Sequence, residues 1–155
     1  MLTQLSHLST AADGRYATAE ELQFLKDYLH TTEQRIQAYK TVRDNEAFLL
    51  EELQTQVKAV SGGLLLKGSK DVSSFFKRDQ KNVLRVGTAA MLFNDLDFLR
   101  EGLLLWHRTI LKAFSVEQPS AVACQVWPTV FGKYLSTDEY KLMAPAVGLI
   151  RAILG

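Results

Sequence analysis

SSFFKRDQKNVLRVGTAAMLF, residues 73–93, sets two phenylalanines beside an Arg-Asp pair and then opens a long apolar run. Phe75, Phe76, Val83, Leu84, Val86 and Leu92 predict a helix from about 72 to 93, stopped by Asn94-Asp95, with Ser69 or Asp71 able to cap its start. On it Arg78, Lys81 and Arg85 fall at i, i+3 and i+7, one basic stripe, and Asp79 points about a hundred degrees round from Arg78. A basic stripe beside aromatic rings can take the carboxylates of an organic ligand, because Arg presents two parallel donors. The plainer reading is a solvated helix face, and the residues alone favour it.

Outward from that helix the chain reads as helical throughout. All three prolines, Pro119, Pro128 and Pro145, fall late, so the first 118 residues are free to form long helices. A short amphipathic opening carries Leu2, Leu5 and Leu8, and Thr18 with Glu21 has the spacing of a capping box. Leu22, Leu25, Leu29, Thr32, Ile36 and Tyr39 then step by three and four. That narrow seam can face the protein's own core or another chain.

The pattern continues less regularly through Phe48, Leu50, Leu53, Val57 and Val60 until Ser-Gly-Gly at 61–63 ends it, and residues 64–72 read as a connection. Phe98, Leu99, Leu103, Leu105, Trp106, Ile110 and Phe114 predict a helix apolar on more than one face, which belongs in the middle of a fold. Pro119-Ser120 opens a further helix, in which Pro128 sets a first turn or a kink, and Ser136-Thr137 with Glu139 caps the last one. No stretch alternates like a half-buried strand. The expectation is an all-α protein of about six to eight helices without internal repeats, forming one domain over residues 1–155.

Composition narrows the function. Basic and acidic residues nearly cancel, 18 against 17, which argues against a nucleic-acid partner. Cys124 is the only cysteine, so no intrachain disulfide can form, and no run approaches the about 18 apolar residues of a membrane span. The reading is a cytoplasmic protein.

Chemistry-bearing constellations are scarce. His7, His30 and His107 are scattered and none has a second ligand type at metal spacing. SGGLLLKGSK, residues 61–70, lacks P-loop spacing, and the neighbouring carboxylates Glu20-Glu21 and Glu51-Glu52 diverge on a helix. Cys124 reads as a small buried apolar side chain rather than a nucleophile. No catalytic residue and no metal ligand is expected, and the chain does not read as an enzyme.

Four segments carry a resemblance. DGRYATAEEL at 13–22, YLHTTEQRI at 28–36, FKRDQKNVLRVGTAAMLFND at 76–95 and LIRAILG at 149–155 resemble, over nearly the whole chain, the phycobiliprotein (phycobilisome protein) family, and most of all its allophycocyanin α type. The resemblance implies a globin-like fold with an N-terminal helical hairpin within residues 1–32.

It also locates a departure. Phe76 stands where the family has the cysteine that binds its linear tetrapyrrole, so covalent bilin at that place is excluded, and Cys124 lies elsewhere. Arg78 matches the arginine that holds a bilin propionate and Asp79 the aspartate facing the pyrrole nitrogens, whereas Asn82 and Val83 replace an aromatic pair. Arg85 matches the arginine that reaches an aspartate in a partner's N-terminal hairpin. Asp13 lies at or within two residues of that aspartate's position, beside Arg15 and Tyr16.

The resemblance therefore implies a non-enzymatic cyanobacterial or plastid interaction protein. It would pair with itself or with a phycobiliprotein subunit, through Asp13, Arg85 and the hairpin, and assist or regulate phycobilisomes or photosystems, at the thylakoid surface where these lie. The alternative is a carrier or sensor that holds a bilin or another tetrapyrrole reversibly at Arg78 and Asp79. A haem globin using His107 is a third and weaker reading.

Overall fold

The computed structural model describes residues 1–60 and 63–155. Its elements are α1 (Leu2–Ala11), α2 (Gln23–Asp44), α3 (Glu46–Val60), α4 (Ser73–Phe93), α5 (Leu96–Leu99), a π-helical stretch (Arg100–Leu104), α6 (Leu105–Ala113), α7 (Glu117–Tyr134) and α8 (Thr137–Leu154). The fold is all-α, as expected, with one small addition. In the connection before α4, Leu66 pairs with Asp71 and Lys67 with Lys70 as an antiparallel hairpin, turning at Gly68 with φ +61°. The expected stop at Ser61-Gly62 lies outside the described residues.

The helix boundaries follow local chemistry. Ser136 and Glu139 form the expected box at the start of α8, each side chain bonded to the other's backbone N–H. Thr18 and Glu21 do the same one turn before α2, and Arg15 clamps the Glu21 carboxylate at 2.7 and 2.9 Å. Those contacts, the Arg15 bond foremost, lower the Glu21 carboxyl to about 2. The Asp71 carboxylate accepts the N–H of Ser73 at the start of α4, and Asn94 ends α4 in the left-handed region. Asn45 breaks the long pattern between α2 and α3, its side chain bonding the Thr41 carbonyl. Sequence periodicity had run those two helices together.

The core forms where α3 packs on α7, α7 and α4 pack on α8, and α2 packs on α4. Leu49, Leu53 and Val57 of α3, four residues apart, are fully buried, and Phe131 of α7 stacks on Trp127 at 4.9 Å. Trp127 donates to the buried Gln80 of α4 at 3.1 Å, so the one polar atom of the indole is satisfied inside the core. Arg35 of α2 is also buried. It donates to the Met91 carbonyl at 2.5 Å, setting a cation at the negative end of α4.

One expectation about packing is corrected. The helical run from Leu96 to Ala113 is not central: Leu99, Leu103, Leu104, His107 and Leu111 are buried, but Trp106 is 64% exposed and Phe98 and Phe114 are exposed too. A second apolar face was present in the sequence, and much of it is open to solvent. The seam of α2, which the sequence left free to face the core or another chain, flanks the core, because Arg35, Ala38 and Val42 make the buried stripe about a hundred degrees away, and of its residues Tyr39 packs against the core. Leu22, Leu25, Thr32, Ile36 and Tyr39 are only half-buried, and Leu29 is 63% exposed.

Asp95 ties the N-terminal helix down. Its carboxylate accepts from the Thr3 N–H and hydroxyl at 2.7 and 2.8 Å, and from the Phe98 N–H at 3.1 Å. Burial pushes this carboxyl up, and the bonds from Thr3 and Phe98 outweigh it, so the net shift is downward. Helix α1 buries no residue of its own. Among the described residues no helix is long and apolar enough to cross a membrane.

Candidate functional site

The first half of α4, the small hairpin, α6 and the start of α7 enclose a cavity of about 400 Å³. Such a volume is within the range of sites that enclose small organic molecules, about 300–1,000 Å³. Phe76 and Phe75 are neighbours on α4 and so diverge: Phe76 is buried in the cavity wall, and Phe75 stands half-exposed on its rim. Lys70 and Arg78 lie over the Phe75 ring at 5.7 and 5.5 Å, so two cations share one aromatic ring on the rim.

Arg78 and Asp79 meet, contrary to the expectation that they diverge. The guanidinium bends along the helix and donates twice to one Asp79 oxygen, at 2.9 and 3.1 Å. Both residues line the cavity. Asn82 is exposed and Val83 belongs to the core, so neither reaches the cavity. His107 and Ser120 are buried in the same wall, and His107 Nε2 and Ser120 Oγ have no hydrogen-bond partner among the described residues. Burial lowers the imidazole's proton affinity and Asp79 opposes the shift in part; the net direction leaves His107 neutral at pH 7.

The expected basic stripe is split between two places. Lys81 and Arg85 turn the other way from Arg78, to Glu46 at the start of α3. Arg85 holds both Glu46 oxygens, at 2.5 and 2.8 Å, and the Arg85 bond does most to lower the Glu46 carboxyl. A groove of about 320 Å³ adjoins them, lined by Tyr39, Val42, Arg43 and Thr88 among others. Of the other residues expected at a partner surface, Asp13 is exposed, Arg15 is engaged by Glu21, and Tyr16 is 98% exposed. Glu46 escaped the sequence reading, which had no helix start at that position. Ser120 and Lys70 escaped it because neither belongs to a motif.

No cluster of metal-ligating side chains occurs among the described residues. Cys124 lies in the core, where burial pushes its thiol up to about 11. The cavity offers an apolar body, a cationic rim and two unused hydrogen-bonding groups.

A sequence profile of the phycobilisome proteins matches residues 8–153. Over 140 residues the chain is 28% identical to the allophycocyanin subunit beta-18 of a Picosynechococcus strain, covering 88% of this chain and 78% of that relative. That relative is named a beta subunit, whereas the expectation from the sequence segments was the α type.

Proposed function

This chain belongs to the phycobilisome protein family, whose fold is all-α and globin-like, and from that premise we propose that it is a non-enzymatic member that carries no covalent bilin and works through its association surface. As one domain over residues 1–155, it pairs with itself or with a phycobiliprotein subunit. It serves assembly or regulation of phycobilisomes or photosystems, in the cytoplasm or at the thylakoid surface.

The observation that carries this reading is the seam of α2. None of its six residues is buried in this chain, although five of them are apolar. Leu22, Leu25, Leu29 and Ile36 lie together as one stripe, and covering it is favourable by about 25 cal/mol per Å². Asp13, Arg15 and Tyr16 precede the seam in sequence, and Arg85 flanks the nearby groove. Arg85, 61% exposed in its side chain, keeps Glu46 and still presents an open side to a partner. The test is the mass of the purified chain at micromolar concentration, alone and with allophycocyanin subunits. A dimer or a mixed complex supports the reading. A monomer that co-elutes with no phycobiliprotein subunit overturns it.

A second reading is supported by the cavity: Arg78 and Asp79 line it beside Phe76, so a bilin could be held there reversibly. Titration with phycocyanobilin, followed by denaturing electrophoresis, tests it. A saturable red-shifted spectrum that vanishes on denaturation supports a carrier or sensor, and an unchanged spectrum removes that reading.

A further inference from the structure

One face of the molecule is at once apolar, outward and cationic. Phe98 of α5 is 48% exposed, and Leu105 and Trp106 of α6 are 39% and 64% exposed. The Phe98 ring lies against Gly102, 3.9 Å from where a Cβ would stand, so a glycine lets the ring continue the surface of α6. His107 and Leu111 bury the opposite side of α6, which leaves Leu105, Trp106, Thr109, Lys112 and Ala113 outward. None of the three large side chains lines either cavity described above. Charge on this face has one sign. From Gly102 to Val116 the chain carries Arg108 and Lys112 and no acidic residue. Arg100 and Glu101, paired at 3.1 Å, cancel at its N-terminal edge, and the next acids along the chain are Asp97 and Glu117. Arg108 and Lys112 are both exposed, and neither forms an ion pair among the described residues.

We propose that this face of α5 and α6 docks on an anionic lipid surface. Helix α6 lies in the plane of the headgroups, Trp106, Leu105 and Phe98 enter the boundary between headgroups and acyl chains, and Arg108 and Lys112 reach anionic headgroups along their flexible stems. Two features favour lipid over a protein partner. Cations that no neighbour holds in place suit headgroups that move laterally, whereas a protein carboxylate is recognised by a fork held in fixed geometry. An outward indole, apolar in its body and polar at its N–H, matches a boundary that is apolar on one side and wet on the other. The contact uses neither the α2 seam nor Arg85, so it stands or falls separately from the pairing proposed above.

Sedimentation of the full chain with vesicles tests this, one set made of equal parts phosphatidylglycerol and phosphatidylcholine and the other of phosphatidylcholine alone. The protein should pellet with the anionic set, with an affinity that falls as salt rises, and weakly or not at all with the neutral set. The chain's two tryptophans separate the optical signal. Trp127 is 3% exposed and already shielded, so a blue shift of emission and a loss of acrylamide quenching on binding report Trp106. Trp106→Ala should weaken binding about tenfold, and Arg108→Gln with Lys112→Gln about tenfold or more on the anionic vesicles. If Trp106→Ala fails to fold, the double glutamine variant, which alters no apolar side chain, carries the test. Equal pelleting with both vesicle sets overturns the proposal, as does pelleting with neither, or anionic binding that the variants retain in full. A blue shift that appears without vesicles as protein concentration rises overturns it too, because a second copy then covers the face.

Discussion

Arg85 of α4 and Glu46 of α3, 39 residues apart, form a two-point ion pair that locks the start of one helix to the middle of the other. Its exposure limits what it adds to folding: a solvated ion pair contributes about 0–1 kcal/mol. Arg85→Glu should therefore leave the urea midpoint of the monomer nearly unchanged. If the association surface is as proposed, the same substitution should abolish or strongly weaken pairing, read by light scattering. A variant that pairs as before would remove Arg85 from the interface. Pairing restored by adding Glu46→Arg would assign its effect to the contact within the chain.

The buried Gln80–Trp127 bond should be costly to break from one side. Gln80→Leu leaves the indole N–H unmatched in the core and should cost about 1–3 kcal/mol. Adding Trp127→Phe removes the unmatched donor, so the double variant should be less destabilised than the sum of the singles. Urea unfolding of the four proteins gives the coupling energy, and strict additivity would contradict the bond's role.

Acid should loosen the chain in a set order. A carboxyl lowered by folding contributes stability that is present above its ordinary value and lost as pH falls through its folded one. Glu21 is lowered from 4.5 to about 2, so the Arg15 clamp and the Thr18 box are complete above pH 4.5 and fail as pH approaches 2. Asp95 is also lowered, so the Thr3 tether weakens below the ordinary carboxylate range, about 4. Hydrogen exchange at pH 6 and pH 2 should show protection lost in residues 2–22 while α3 and α8 keep theirs. Asp95→Asn should produce the loss in α1 already at pH 6.

Cys124 should be silent until the protein opens. The thiol is buried and its proton affinity is raised to about 11, so almost no thiolate exists at pH 7. Reaction with a thiol-modifying disulfide reagent should follow the opening rate of the α7–α8 core and accelerate with denaturant. Rapid modification of the native protein would place Cys124 outside that core.

The fold was legible where the signal is local. Spacings of three and four marked the helices, and Thr18 with Glu21, Ser136 with Glu139 and the stop at Asn94 sit where side chain and backbone meet within a few residues. The site was legible in part. Arg78 and Asp79 stand in a motif, but Lys70 reaches the same cavity only because the hairpin folds back, and Ser120 only because α7 passes α6. His107 read as one of three scattered histidines, and pairwise spacing could not say that a cavity would lie against it. The break at Asn45 was missed because a single residue between two apolar patterns scarcely disturbs periodicity. With it was lost Glu46, whose importance is a contact 39 residues away.

The π-helical stretch at Arg100–Leu104 bears on inheritance as well as on shape. A turn closed by i→i+5 bonds holds one more residue than its α-helical equivalent. Leu99 before it and His107 and Leu111 after it all face inward, so the extra residue is absorbed locally and does not rotate the rest of the helix. The gene can therefore lose a codon in this stretch and still place the same imidazole on the cavity wall, whereas the same deletion a turn later would swing Trp106 or Arg108 towards it.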